Sequence, residues 1–271
     1  MGTILACSTV PYEAHPLERA LSGIAGAGFR NVLVGPAHAG LPVLDLAGGR
    51  SGASRLGEAL KRSGLAALAL APELPLVDDD SEEALGVVLE LAKSIGARQV
   101  WLSGPEAFGQ SGELKPEAEW RRELREFASR MGRLGAKAGS MGLELLLQTE
   151  PRVSGCAADL EALLELVGGS PALAYNPGLV SYYSGANPLR DLEAVRARIG
   201  ALCLRDHKGA QGEAEFPALG AGDVDYLAIR DLLAARGPLP PVVVEHLPGS
   251  SPEELDRSAA AAFRFASMLF R

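Results

Sequence analysis

Two polar side chains end an otherwise apolar stretch near the middle of the chain. The run LELLLQTE (143–150) is typical of a buried strand, and Gln148 and Glu150 stand at its carboxyl end. Residues two apart on an extended strand point to the same side. A carboxylate can act as a general base and an amide can bind a polar ligand. The pair therefore indicates a site, whose chemistry depends on what the other strands contribute.

Polar residues also stand at the carboxyl ends of the other apolar runs, whereas the amino-terminal ends of these runs carry fewer polar residues. In a parallel α/β fold the carboxyl ends of all strands lie at one face, so this asymmetry favours a ligand site there. In chain order, these residues are Cys7, Ser8 and Thr9, His38, Glu73, Trp101 and Ser103, Asn176, Cys203, Arg205, Asp206, His207 and Lys208, and finally Glu245 and His246.

Short apolar runs alternate with longer amphipathic segments along the whole chain. Eight β-then-α units without a linker predict one (β/α)₈ TIM barrel, a single domain over residues 1–271. A doubly wound open sheet is the alternative, although no GxGxxG follows the first run. The eight runs are 3–8, 31–35, 65–73, 99–104, 143–150, 172–178, 201–206 and 241–246, and the clearest helical segments are 16–28, 78–97, 115–139 and 251–269.

The composition limits the classes of partner. A net charge of −8 with no Lys/Arg cluster argues against a nucleic-acid backbone as the main partner. No apolar run reaches the length of a membrane span, so no membrane partner is expected. Three cysteines, Cys7, Cys156 and Cys203, lie far apart without CxxC spacing, which favours a reducing cytoplasm.

Four passages of the C-terminal half resemble the xylose isomerase-like TIM barrels. They are the end of the fifth run, NPG (176–178), CLRDHKGAQGEAEFPALGAGDVDY (203–226) and VVVEH (242–246), and the segments RDHKG and LGAGDVDY carry the specific part of the likeness. The N-terminal half is similar only in the order of its elements. This family contains sugar isomerases, epimerases and DNA-repair endonucleases, so the resemblance implies activity on a sugar or on DNA.

The resemblance also implies a metal site, and the sequence departs from it. The family holds a divalent ion such as Mn²⁺ or Mg²⁺ through Glu, Asp, His and Glu on strands 5 to 8. The matching positions here are Gln148, Asn176, Cys203 and Glu245. Two carboxylates have become amides, and a thiol is too soft for an oxygen-rich site. We therefore expect a degenerate site without metal and no other cofactor.

Three functional hypotheses follow from the resemblance. The first is a sugar isomerase or epimerase that moves a proton next to a carbonyl without the metal. The second is a sugar-binding or regulatory barrel without catalysis, and the third and weakest is a metal-dependent endonuclease. In the first, Glu150 or Glu245 is the catalytic base, Arg205, His207 or Lys208 polarises the substrate oxygen, and the other substrate-binding residues are Gln148, Asn176, Cys203, His38 and Trp101.

The expected partner is a small uncharged polyol or keto sugar rather than a sugar phosphate. Asp223 and Asp225 follow the glycines of LGAGDVDY at once and would repel an anion there. A homodimer is possible by analogy with other barrels of the family. Purely structural readings also stand. Gln148 and Asn176 could satisfy strand-end backbone, Cys203 could be a core residue, and the histidines could be solvated or capping residues.

Overall fold

The computed structural model describes residues 2–43, 50–72, 74–108, 112–166, 172–235 and 237–271. Within them, eight parallel strands close into a barrel in which each strand pairs with its neighbours in the chain and β8 pairs with β1. The (β/α)₈ prediction is confirmed. Glu73, which was predicted to end the third strand, lies outside the described residues. The strands are β1 Leu5–Ser8, β2 Asn31–Val34, β3 Ala66–Leu70, β4 Gln99–Leu102, β5 Glu144–Gln148, β6 Ala172–Tyr175, β7 Ile199–Leu204 and β8 Val242–Val244.

Helices cover the outside of the barrel, and their first residues follow from local capping chemistry. Asp78 accepts a hydrogen bond from the Ser81 amide, and Ser251 accepts one from the Glu254 amide, so α3 and α9 each begin with a capping box. In the described residues the α-helices are α1 Leu17–Ala27, α2 Arg50–Ser63, α3 Asp79–Ser94, α4 Glu117–Ser140, α5 Ala157–Leu164, α6 Pro177–Ser184, α7 Pro188–Val195, α8 Tyr226–Ala234 and α9 Pro252–Phe270.

None of the helices that the structure describes is long and apolar enough to cross a membrane.

Two buried clusters hold the fold together. The larger lies between the strands and the helices. The smaller fills the inside of the barrel with residues of alternating strand positions, among them Leu33, Trp101, Leu146 and Cys203. The barrel interior is thus packed rather than open, as is usual for eight-stranded barrels. Space for a ligand remains at the ends of the strands.

Candidate functional site

A cavity of about 190 Å³ opens at the carboxyl ends of the barrel strands. It is smaller than the 300–1,000 Å³ typical of pockets for drug-sized molecules, so it suits a small ligand. Seven of the eight strands, or the residues that directly follow them, contribute to its wall, and the start of α6 closes one side. The lining residues are Ser8, Val10, Leu33, Ala71, Gln148, Thr149, Glu150, Ala174, Asn176, Leu179, Tyr183, Arg205 and Glu245.

Asn176 and Glu245 contact each other directly in this cavity. The Asn176 Nδ2 donates a hydrogen bond to Glu245 Oε2 at 2.5 Å, and its Oδ1 accepts one from the Leu179 amide at 3.1 Å. The second bond makes Asn176 the N-cap of α6. Because one end of the amide is committed to the helix, its NH₂ group is the end that faces the carboxylate.

Cys203 lies beneath this pair in the barrel interior, with 1% of its surface exposed. Burial raises the pKa of its thiol well above the ordinary value, and the neighbouring Glu245 carboxylate raises it further. The thiol is therefore neutral. Glu245 thus accepts a hydrogen bond from a neutral amide and lies next to a neutral thiol.

Gln148 and Glu150 both line the cavity from the end of β5, as their spacing predicts. The Gln148 Nε2 donates to the Ser103 hydroxyl at 3.2 Å, which fixes the amide against the end of β4. Glu150 is followed by a tight turn in which its carbonyl accepts from the Ser154 amide and its own amide donates to the Ser154 hydroxyl. These hydrogen bonds hold the strand end in place, and within the described residues no hydrogen bond engages Gln148 Oε1.

Arg205 brings positive charge to the cavity. Its guanidinium lies 5.4 Å from the centre of the Phe216 ring, a distance at which a cation and an aromatic face attract each other. Its Nε is buried and has no hydrogen-bond partner among the described residues. Burial lowers the pKa of the adjacent His246, and Arg205 lowers it further. The imidazole next to Arg205 is thus neutral at neutral pH.

Tyr183 completes the polar wall from α6. Burial raises the pKa of its phenol, and the Glu150 carboxylate adds to the shift. The hydroxyl therefore stays protonated and can donate a hydrogen bond to an oxygen atom in the cavity. The polar groups assembled here are two carboxylates, a guanidinium, a phenol and two amides, together with the hydroxyls of Ser8 and Thr149.

Asp206 positions the loop that carries this wall. Its buried carboxylate accepts hydrogen bonds from the backbone amides of His207, Gly220, Gly222 and Val224, at 2.8 to 3.3 Å. A Cβ at position 222 would lie 2.4 Å from Asp206 Oδ1, so only glycine fits. The segment LGAGDVDY therefore wraps around a carboxylate of the protein itself, and Arg205, one residue earlier, is left to face the cavity.

Besides Cys203, which lies beneath the cavity, four of the predicted substrate-binding residues are not among its lining residues: His207, Lys208, Trp101 and His38. The His207 ring, 1% exposed, contacts the Ser181 hydroxyl at 3.0 Å and the Glu213 carbonyl at 2.8 Å, so it ties two loops together. Lys208 points to solvent, 3.6 Å from the Glu215 carboxylate. The Trp101 indole fills the barrel interior and donates to Gln99 Oε1 at 3.1 Å.

His38 lies in a short antiparallel hairpin, residues 37–38 and 41–42, that follows β2. Its Nδ1 is 3.0 and 3.2 Å from the carbonyls of His15 and Tyr12, and its pKa is lowered by burial. The ring is therefore a neutral structural group here. A role in substrate binding for His38, Trp101, His207 or Lys208 stays a prediction without support from the cavity geometry.

Leu179 and Tyr183 are two of the cavity residues that the sequence patterns did not single out. Both lie in α6, three and seven residues after the N-cap Asn176. Residues at these spacings share one face of a helix. The combination NPG, with Asn at a cap and Pro at the first helical position, was the available signal for a helix starting at this point.

The donor set does not match a divalent-ion site. Among the described residues, no group of three or more His, Cys, Asp or Glu side chains is placed to hold a metal ion. At the family's metal positions Glu245 is the one carboxylate, and an NH₂ group rather than an oxygen is directed at it. A cation and this hydrogen bond would compete for the same carboxylate oxygen.

Comparisons with known proteins agree with the barrel. A sequence profile described as xylose isomerase-like TIM barrel matches residues 24–265. No curated protein sequence matches the chain significantly.

Solved structures of the same fold cover nearly the whole chain. A xylose isomerase-like TIM barrel protein from Mycobacterium smegmatis in complex with magnesium has a TM-score of 0.78 at 17% identity, over 100% of this chain and 98% of that one. An L-ribulose 3-epimerase has a TM-score of 0.72 at 19% identity, over 100% and 95%. D-psicose 3-epimerase from Clostridium cellulolyticum H10 with D-tagatose has 0.72 at 14%, over 100% of both. At these identities the likeness shows the fold.

Proposed function

The chain belongs to the xylose isomerase-like TIM barrel family, and we propose that it binds a small polyol or keto sugar in the cavity and isomerises or epimerises it without the family's divalent metal. The observation that carries this proposal is the polar wall contributed by β5 to β8. It combines hydrogen-bond acceptors, Glu150 and Glu245, with the guanidinium donor Arg205. A polyhydroxylated neutral molecule needs both kinds of partner within a small volume.

Proton transfer next to a carbonyl requires a base and an electrophile. Glu245 would remove the proton from the carbon beside the carbonyl, and the electron pair of that C–H bond would form the enediolate. Arg205 would stabilise the oxygen that gains negative charge, and the Tyr183 phenol would donate a hydrogen bond to it. For isomerisation, Glu245 would return the proton to the former carbonyl carbon, and the hydroxyl proton of the neighbouring carbon would pass to the former carbonyl oxygen. For epimerisation, Glu245 would keep the proton and release it to solvent, while Glu150, which stands on a different strand and first takes up a proton from solvent, would protonate the opposite face of the same carbon.

Independence from metal rests on the Asn176 contact. A divalent ion would supply charge to stabilise an enediolate, but here the NH₂ group of Asn176 already donates to a Glu245 carboxylate oxygen that such an ion would need. Arg205 is the remaining fixed positive charge in the cavity lining that the structure describes. The guanidinium therefore takes the electrostatic role, and the hydrogen bond from Asn176 holds Glu245 in place.

A sugar-binding barrel without catalysis is the second candidate function. The observation that favours it is the neutral amide of Gln148 at one of the family's carboxylate positions, because an amide can bind a ligand but cannot act as a base. Glu150 is then the one carboxylate at the end of β5. The third hypothesis, a metal-dependent endonuclease, asks for a richly liganded metal site, and the donor set described above disfavours it.

Solvent exchange tests the enzymatic proposal. The purified protein would be incubated with a panel of ketohexoses and ketopentoses in D₂O containing EDTA, and NMR would follow deuterium at the carbons beside the carbonyl. We expect deuterium incorporation together with an epimeric or isomeric product. Glu245→Gln removes the base at nearly constant size and should lower the rate by at least a hundredfold. Glu193→Gln, on the exposed face of α7, is the matched control and should leave the rate unchanged.

The outcomes separate the candidates. Binding without deuterium incorporation would support the non-catalytic barrel. Turnover that appears only after addition of Mn²⁺ or Mg²⁺ would contradict the proposed independence from metal. An epimeric product that carries no deuterium would contradict proton delivery by Glu150, because that proton comes from solvent.

A further inference from the structure

The cavity wall is divided by chemistry around the barrel. The strands β5, β6, β7 and β8 carry the charged and amide groups. Across β4, which contributes no lining residue, the other side of the wall is made by Leu33 of β2, by Ala71 directly after β3 and by Val10 two residues after β1, which together we call the apolar arc. Because strand order around the barrel equals chain order, the polar groups form one continuous side and the apolar arc forms the other.

Backbone groups on the apolar side are already paired with one another. The Leu33 carbonyl accepts from the Thr9 amide, and the Val34 carbonyl accepts from the Ala71 amide, both at 2.9 Å. The Thr9 hydroxyl accepts from the Gly35 amide at 2.9 Å. These groups hold the three strand ends together and are not offered to a ligand.

Ser8 is the polar lining residue on β1, and it lies at the border between the two sides. It belongs to the strand that pairs with β8, the strand that leads to Glu245. Its hydroxyl accepts a hydrogen bond from the Val10 amide at 3.2 Å. One hydroxyl at the border does not change the character of the apolar arc.

From this division we infer that the ligand ends in a methyl group: a terminally deoxygenated keto sugar, with its carbonyl end on the polar side and its methyl end against Val10, Leu33 and Ala71. The inference rests on the proposed function and names the substrate class of the same cavity. The reacting carbons must lie near Glu245 and Arg205, so the far end of a six-carbon chain faces the apolar arc. A terminal hydroxyl against these three side chains would lose water and could reach only the Ser8 hydroxyl at the border, whereas a methyl group gains apolar contact.

The expected preference has a known scale. An apolar pocket discriminates against an added hydroxyl group by roughly tenfold to a hundredfold. The test therefore measures dissociation constants by calorimetry, in EDTA, for each ketohexose and its 6-deoxy counterpart. We expect at least one 6-deoxy ketohexose to bind at least tenfold more tightly than its parent. Both sugars of a pair are titrated into one protein preparation in one buffer, so differences between preparations do not affect the ratio of the two dissociation constants.

A valine-to-threonine exchange tests the apolar arc itself. Val10→Thr replaces a methyl group by a hydroxyl of similar size and should reduce the preference for the deoxy sugar by several-fold. Val77→Thr makes the same change at an exposed position outside the cavity lining and should leave the preference unchanged. Thermal unfolding of both variants establishes that they fold.

Each outcome decides a separate claim. A preference below tenfold in every pair that binds would overturn the methyl-terminated ligand and leave the proposed function standing. A preference that Val10→Thr does not alter would overturn the assignment to the apolar arc. Absence of binding by every sugar of both sets would overturn the proposed function together with this inference.

Discussion

Replacement of Asn176 by aspartate would place two carboxylates against each other in the cavity. The Asn176 Nδ2 now lies 2.5 Å from Glu245 Oε2, and the change converts that donor into a second acceptor. Two unit charges 4 Å apart repel by about 4 kcal/mol at an effective dielectric constant of 20. The variant should also lose a hydrogen bond to a charged group, which contributes about 1.5–3 kcal/mol.

Proton uptake limits this loss. One of the two carboxyl groups should bind a proton, and its pKa in the folded state should rise above the unfolded value of about 3.9. A group whose folded pKa is raised stabilises the fold while it is protonated. The variant should therefore match wild type below about pH 4. Its relative stability should fall as the pH rises through the folded pKa, and a loss of about 3–4 kcal/mol is expected at pH 7.

Thermal unfolding between pH 4 and 8 measures this profile. At about 2–4 °C per kcal/mol for a domain of this size, the melting temperature should fall by roughly 6–16 °C at pH 7 and little at pH 4. Asn187→Asp is the matched control, because Asn187 is also an N-cap, accepting from the amides of Leu189 and Arg190, but is exposed. Asp and Asn cap helices about equally well, so this control should change stability little.

A double variant identifies the source of the loss. Addition of Glu245→Gln to Asn176→Asp removes one of the two charges and should recover most of the stability at pH 7. If Asn176→Asp is as stable as wild type at pH 7, or if its loss does not depend on pH, the contact between Asn176 and Glu245 is not as described. The inference about metal would then lose its structural basis.

Three further predictions concern the same region. The triple variant Gln148→Glu, Asn176→Asp, Cys203→His should gain about 2.7 kcal/mol from Mn²⁺ at a hundredfold excess over its dissociation constant, and an equal gain by wild type would show that the native site binds metal. Asp206→Asn should lower the free energy of unfolding in urea by about 2–4 kcal/mol, because four backbone amides lose a charged acceptor. Iodoacetamide should label Cys156 before Cys203, since burial raises the pKa of both thiols but Cys203 is also inaccessible. Equal labelling rates would show that the floor of the cavity opens.

Much of the fold follows from patterns that are local in the chain. Apolar runs of strand length alternating with amphipathic segments specify the β/α order, and each of the eight predicted runs contains or overlaps a barrel strand. The caps of α3 and α9 are readable because Asp78 and Ser251 act on amides three residues away. Gln148 and Glu150 line the cavity together because strand geometry alone decides that residues two apart share a side.

Side-chain direction beyond the strands depended on tertiary contacts. His207 and Lys208 lie only three and four residues after β7, yet His207 is held by Ser181 and Glu213 and Lys208 faces solvent. The reason is that the loop winds around Asp206. The direction of the Trp101 side chain also depended on the tertiary structure. Its position within β4 directs the indole into the packed barrel interior rather than into the cavity at the carboxyl ends of the strands.

The side-chain amide of Asn176 shows most directly which contacts are set by the local sequence and which by the tertiary structure. Its sequence position, before Pro177 and Gly178, specifies the cap of α6 and so commits its oxygen to the Leu179 amide. Only closure of the barrel brings β8 beside β7 and β1, and with it Glu245 to within hydrogen-bond distance of the remaining NH₂ group. The sequence thus determined which residues stand at the mouth, and the tertiary structure decided which atoms face each other, because contacts between residues 69 positions apart depend on how the whole sheet closes.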